Sequence, residues 1–226
     1  MKDKKLVIFG AGKIAEIIDI SFSSDSNYEV VAFVVDDEFK SSDSYRNKPL
    51  IGLSELHSSF PPSEHEAFVG LGYQELNMAR KRAMVKLEGM GYNLATYISS
   101  STYLTPEIEV GSNVFIMNNV NLQPMTKIGS NTFVWSGALI GHHSTIGKNC
   151  WITSGANISG NVEVGDNTFI AVNATIANDI KVGDSCFVGA NTLVIKDLVN
   201  EAVVITEGHK PSRLNSKQFL KISKFH

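Results

Sequence analysis

The sequence predicts two parts of unlike class: an α/β, half-Rossmann-like domain at the N-terminus, then an all-β parallel β-helix. Three observations carry this. Val110 and every sixth residue after it through Val194 is Val, Ile or Leu. A longer period of eighteen lies over the six, in VGSNVFI, IGSNTFV, IGKNCWI, VGDNTFI and VGDSCFV, which begin at Val110, Ile128, Ile146, Val164 and Val182. The first hundred or so residues lack this register, and strand-like and helical runs alternate there instead. The expected divisions are 1–98, 99–200 and a tail, 201–226.

Three six-residue strands per turn make a triangular prism whose apolar residues point inward and stack from coil to coil. Each coil buries little alone, so the stack must be cooperative. Gly111, Gly129, Gly147, Gly165 and Gly183 fall at corners, where a positive φ or a close approach is easiest without a Cβ. Phe115, Phe133, Trp151, Phe169 and Phe187 form an outward column, since each precedes an inward position. It is either a cofactor shelf or a ladder covered by a neighbouring subunit or another segment. Cys150 and Cys186 lie two coils apart, roughly 10 Å at strand spacing, too far for a disulfide. Both are expected as buried fillers.

In the first part, 5–9 reads as a strand, GAGKIA as a turn, and the stretch to residue 20 as a helix. A second strand over 28–35 ends in Asp36-Asp37, and a third covers 67–71. Residues 75–88 read as a helix, 41–62 as loop with a short helix, and 94–98 as a strand leading into the prism. Gly10-Ala11-Gly12, with Ala15 three residues on, is the context that admits a phosphate to a helix N-terminus. Roughly 95 residues precede the prism, enough for half of a dinucleotide fold. A mononucleotide or nucleotide-sugar pocket therefore fits better than NAD. Asp36 and Asp37 either bond a base or ribose or form an acidic loop. Gly72 and Tyr73, after the third strand, are candidate pocket walls. Asn77 and Arg80 on the next helix either reach a diphosphate or stay solvated.

Net charge is -3, which offers no basic field for nucleic acid or an anionic membrane. No segment is apolar for long enough to span a bilayer, so a cytoplasmic protein without membrane insertion is expected. Of six histidines, His57, His65, His209 and His226 lie outside the coils. His142 and His143 sit together at a coil corner, as surface residues or as a proton-transfer site. Adjacent side chains diverge and no third histidine lies in the coils, so no metal site is expected.

The hexapeptides from 110 onward resemble the bacterial left-handed β-helix acyltransferases. The GAGKIA-bearing domain before them narrows the likeness to sialic acid O-acetyltransferases and the N-acetyltransferases of UDP- or dTDP-linked amino sugars. That resemblance implies a left-handed coil, a homotrimer with active sites between prisms, and acetyl-CoA as co-substrate. Relatives carry His-Asp/Glu-x-x-Ile-Gly where this chain has His142-His143-Ser144-Thr145-Ile146-Gly147. His142 thus takes the place of the catalytic base, with His143 where the supporting carboxylate would be. The likeness puts Gly160 beside the acetyl group, with a nearby backbone N–H for the oxyanion. It assigns Trp151, Ala171, Ala177, Gly189, Ala190 and Lys196 to acetyl-CoA, and Gly10, Ala11, Gly12, Asp36, Asp37, Gly72 and Tyr73 to the nucleotide sugar. GHKPSR replaces the usual Gly-x-Pro-Ala-Lys ending, and its Lys210 or Arg213 either meets CoA phosphates or stays solvated. The function implied is N-acetylation of a nucleotide-linked amino sugar for surface polysaccharide such as lipopolysaccharide O-antigen. O-acetylation of a sugar or sialic acid is the alternative, and a non-catalytic trimeric scaffold the further one.

Overall fold

A computed structural model describes residues 2–208 and 210–223. The N-terminal unit runs β1 (Lys4–Phe9), α1 (Lys13–Ser24), β2 (Tyr28–Val35), a 3₁₀ turn (Asp37–Phe39), β3 (Ser44–Tyr45), β4 (Lys48–Gly52), α2 (Leu53–Ser59), β5 (His65–Val69) and α3 (Met78–Gly89). The sheet order is β3-β4-β2-β1-β5, and all pairs are parallel except β3 with β4. The loop expected over 41–62 thus holds a strand pair as well as its short helix. Pro49 and the brevity of β3 kept that pair from showing an alternating run.

Strands of two residues then wind into the prism. Its first face stacks Glu109–Val110, Lys127–Ile128, Thr145–Ile146, Glu163–Val164 and Lys181–Val182. The third stacks Asn121–Leu122 through Leu193–Val194. The second is longer, because β6 (Tyr97–Ile98) and Val203–Val204 extend it at either end. The inward residues, with Val114, Ala138, Cys150, Ala156, Ala174 and Cys186 between them, fill one dry core. Both cysteines are free, and burial pushes the Cys150 thiol up to about 12. The coil is left-handed, and its strands pair in parallel.

The corner glycines serve close approach and not positive φ. A Cβ on Gly129 would lie 2.6 Å from the Gly147 backbone, and one on Gly147 2.7 Å from that of Gly165. The left-handed conformation falls two residues later instead, at Asn113, Asn131, Asn149, Asn167 and Ser185. Asparagine tolerates that region and adds a ladder: Asn113 Nδ2 donates to Asn131 Oδ1 at 2.7 Å, and Asn131 Nδ2 to Asn149 Oδ1 at 2.8 Å.

The aromatic column is covered by the N-terminal unit of the same chain. Phe115, Phe133, Trp151 and Phe169 share a core with Phe22 of α1, Phe68 of β5 and Tyr97. Phe68 meets the rings of Phe22, Phe115 and Phe133 at 5.2–6.2 Å, at the spacing of favourable edge and tilted contacts. Polar clamps frame this core. Val69 N donates to Asn113 Oδ1 at 2.7 Å. Asp25, just past α1, accepts bonds from Ser100 N, Tyr97 Oη and Ser99 Oγ at 2.9–3.2 Å.

The largest clamp is Arg80 on α3, which is fully buried. Its guanidinium donates to the carbonyls of Asn131, Asn149, Cys150 and Gly72 and to Asn77 Oδ1, all at 3.0–3.2 Å. It lies over the rings of Phe133 and Trp151, at 4.6 and 5.1 Å from their centroids. Burial pulls its pKa down to about 9, so it stays charged at neutral pH. Neither a diphosphate contact nor a solvated position describes Arg80 or the buried Asn77. Both join the two parts of the molecule.

Candidate active site

A cavity of about 680 Å³ opens where the sheet's chain order reverses, past the C-terminal ends of β1 and β2. Ligands of open parallel sheets bind at such a switch point, and the volume suits a small-molecule site. Gly10 and Ala11 form its floor, and Asp36 stands on one wall. Gly10 has φ 124°, and a Cβ on it would lie 2.9 Å from the Gly70 carbonyl, so no other residue fits the turn. Gly12 begins α1 without lining the cavity, and its carbonyl accepts the Tyr45 hydroxyl at 3.3 Å.

Asp36 and Asp37 part company. Asp36 faces the cavity, where Lys86 Nζ meets its Oδ1 at 2.6 Å. Asp37 turns to the start of α2, where Oδ1 accepts Ser54 N at 3.2 Å and Ser54 Oγ at 2.9 Å. That helix-end role takes Asp37 out of the pocket set. Gly72 and Tyr73 are corrected too. The Gly72 carbonyl is held by Arg80, and the Tyr73 ring packs on Trp151 and Phe169 at 5.4 and 5.0 Å. Leu71 and Gln74 line the cavity in their place.

Sequence reading missed the opposite wall, made by Ala79, Arg82, Ala83 and Lys86 of α3. Arg82 is held by Glu75 through two bonds of 2.8 and 2.9 Å. The signal was present: alanines four apart, flanked by cations four apart, give one helix face that is open and basic.

The second feature is the histidine corner between the third and first faces. His142 and His143 are both exposed. His143 has φ 61°, the left-handed corner conformation that asparagine takes elsewhere in the stack. That turn swings its ring back, so that Nδ1 of His143 lies 3.2 Å from Nδ1 of His142. The His142 main-chain N–H donates to Gln123 Oε1 at 2.9 Å. Nε2 of His142 has no protein partner among the described residues.

The His142 ring lies over Gly160 in the next coil. A Cβ there would be 2.7 Å from both Cε1 and Nε2, so glycine makes the space the ring occupies. The Gly160 N–H is already engaged, donating to Asn178 Oδ1 at 3.0 Å. It is therefore not itself free to meet an oxyanion.

The residues assigned to acetyl-CoA scatter. Trp151 and Ala171 are buried in the core between the two parts, so neither lies open to a bound thioester. Ala177 packs against the prism core, and Gly189 is buried, with room for no Cβ beside Ile205. Ala190 and Lys196 are exposed near the last coil. His57 is exposed, and the buried His65 holds the Pro61 carbonyl through Nδ1 at 3.1 Å. His209 and His226 lie outside the described residues. No group of His, Cys, Asp and Glu among the described residues is arranged to hold a metal.

Residues 107–142 and 143–178 match the family described as bacterial transferase hexapeptide (six repeats). No curated protein matches the sequence. Among solved structures, PerB from Caulobacter crescentus in complex with CoA and GDP-perosamine is 24% identical, with a TM-score of 0.80 over 89% of this chain and 94% of that one. The acetyltransferase domain of PglB from Neisseria gonorrhoeae is 22% identical, with a TM-score of 0.80 over 93% and 100%. WeeI from Acinetobacter baumannii is 19% identical, with a TM-score of 0.77 over 90% and 97%. The repeats of 107–178 are therefore those of the bacterial transferase hexapeptide family, and the chain as a whole has the two-part left-handed β-helix fold of these structures.

Proposed function

We propose that the protein transfers the acetyl group of acetyl-CoA to the amine of a nucleotide-linked amino sugar, with His142 as general base. The observation that carries this is the placing of an exposed imidazole, its Nε2 unpartnered, over a glycine that leaves room beside it. The amine adds to the thioester carbonyl, its proton passes to Nε2 of His142, and as the C–S bond breaks that proton passes on to the departing sulfur, so that CoA leaves as the thiol. Such base assistance contributes on the order of 10²–10⁴-fold.

Support for the acceptor comes from the cavity at Gly10, Ala11 and Asp36, whose far wall brings Arg82 and Lys86 within reach of a diphosphate. In this reading each cation exchanges its carboxylate partner for phosphate oxygens on binding. Ala190 and Lys196 remain for the CoA arm. The cavity and His142 share no lining residue, which supports an assembly in which neighbouring protomers complete the site, a homotrimer. The reading places the enzyme in the cytoplasm, ahead of surface polysaccharide assembly. The base stays open among guanine, uracil and thymine, since PerB was solved with GDP-perosamine.

Thiol release from acetyl-CoA, followed across a panel of GDP-, UDP- and dTDP-linked amino sugars, tests it. Turnover with one of these amines is expected. Turnover only with sialic acids would move the reaction to a hydroxyl. No turnover and no binding of acetyl-CoA would leave a scaffold.

A further inference from the structure

Whole-chain charge hides an asymmetry at the C-terminus. Five of the twenty Lys and Arg fall in residues 208–226, and none of the twenty-three Asp and Glu does. The rest of the molecule is correspondingly acidic. Within this stretch lies α4 (Ser216–Ser223), an eight-residue helix outside the hexapeptide register.

The helix is encoded locally. Asn215 Oδ1 accepts Gln218 N and Gln218 Oε1 accepts Asn215 N, both at 3.0 Å, a reciprocal capping box. At 100° per residue, Phe219, Leu220 and Ile222 fall on one side of the helix, and Lys217 and Lys221, four apart, fall on the other. Phe219 is 48% exposed and Ile222 66%. Leu214, just before the cap, is 41% exposed. A capped helix with segregated apolar and cationic sides suits a boundary between water and a negatively charged apolar phase.

We propose that the segment from Leu214 to Ile222 docks on an anionic lipid surface, with Phe219 and Ile222 in the acyl boundary and Lys217 and Lys221 at the headgroups. Two apolar side chains bind a bilayer only marginally, and clustered cations supply the second signal that reversible attachment requires. The docking is peripheral, and no described helix is long and apolar enough to cross a membrane. It is independent of the acetyl-transfer reading.

The test is co-sedimentation of the full chain with vesicles of phosphatidylglycerol mixed with phosphatidylethanolamine, against vesicles of phosphatidylcholine alone. Binding to the anionic vesicles only is expected, falling roughly tenfold when salt is raised from 0.05 to 0.5 M. Phe219→Glu, and separately Lys217→Glu with Lys221→Glu, should each lower binding by about tenfold. Both sites are exposed, and an unchanged thermal transition shows that the variants fold. Equal binding to both vesicle types, no binding to either, or binding indifferent to Phe219→Glu overturns the proposal. So does a Phe219→Glu chain whose mass by light scattering is smaller than that of the parent, which would assign the helix to contacts between copies. Thiol release measured on the same samples reports separately on the acetyl-transfer reading.

Discussion

Nδ1 of His142 and Nδ1 of His143 lie 3.2 Å apart, a separation that requires one proton between them. One ring donates while the other accepts. In the reaction proposed above, the second imidazole takes the place that the resemblance gives to a carboxylate.

Replacing His143 tests the exchange. A carboxylate favours a neighbouring imidazolium, so His143→Asp is expected to move the acid limb of the pH–rate profile to higher pH. His143→Ala should lower kcat by about tenfold while leaving KM for acetyl-CoA nearly unchanged. A pH profile unmoved by His143→Asp would leave His143 a bystander.

His142→Ala should reduce kcat by at least about a hundredfold, with a modest change in KM. Steady-state thiol release measures both. Near-normal turnover in this variant removes the assignment.

Gly160→Ala places a methyl where the His142 ring sits, 2.7 Å from Nε2. The ring is exposed and can swing aside, so the melting temperature should hardly change. Activity should fall by about tenfold or more, because a displaced base no longer meets the amine. Loss of activity with equal loss of stability would point to a damaged coil instead.

Arg80→Met strands the carbonyls of Gly72, Asn131 and Asn149 and the Asn77 amide oxygen in a buried junction, while the Cys150 carbonyl keeps its bond from Phe133 N. Each buried acceptor left unpaired costs about 1–3 kcal/mol, so a loss of about 3 kcal/mol or more in denaturant unfolding is expected. Arg80→Lys should recover little, since an ammonium cannot fan out over carbonyls of successive coils.

The Ser100 N–H, aided by the Tyr97 and Ser99 hydroxyls, holds the Asp25 carboxyl below its ordinary value. A depressed carboxylate contributes stability that is present above its unfolded value, about pH 4, and is lost as pH falls through the folded one. The wild-type chain should therefore be more stable than Asp25→Asn at neutral pH. The gap in melting temperature should close as the solution is acidified below about pH 4. A gap independent of pH would assign the effect to packing.

The prism was legible because its signal repeats: Val110 to Val194 holds one register through fifteen positions, each bound to its equivalent in the next coil. The α/β unit was legible where strands alternate or run apolar, as in β2, and illegible where β3 and β4 are short and interrupted by Pro49. Arg80 was misread because nothing local distinguishes it from the cations beside it. Arg82 and Lys86 face the cavity, and Arg80 is buried only because the other half of the chain closes over it. Trp151 is hidden for the same reason, in a core that pairs residues far apart in sequence, and the exposed Tyr73 lays its ring against it. The His142-His143 corner was legible because it is local, but the glycine beneath the His142 ring comes from the next coil.

The stacked rings from Phe115 to Phe169 would be a greasy stripe on an otherwise polar cylinder were β5 and α1 not pressed against them. Neither half can be traded alone. A coil grafted onto another head would need that head to bring its own Phe22 and Phe68, and a coil expressed bare would expose an adhesive edge. The α/β unit is thus a lid the cylinder needs in order to remain dissolved, whatever it also binds.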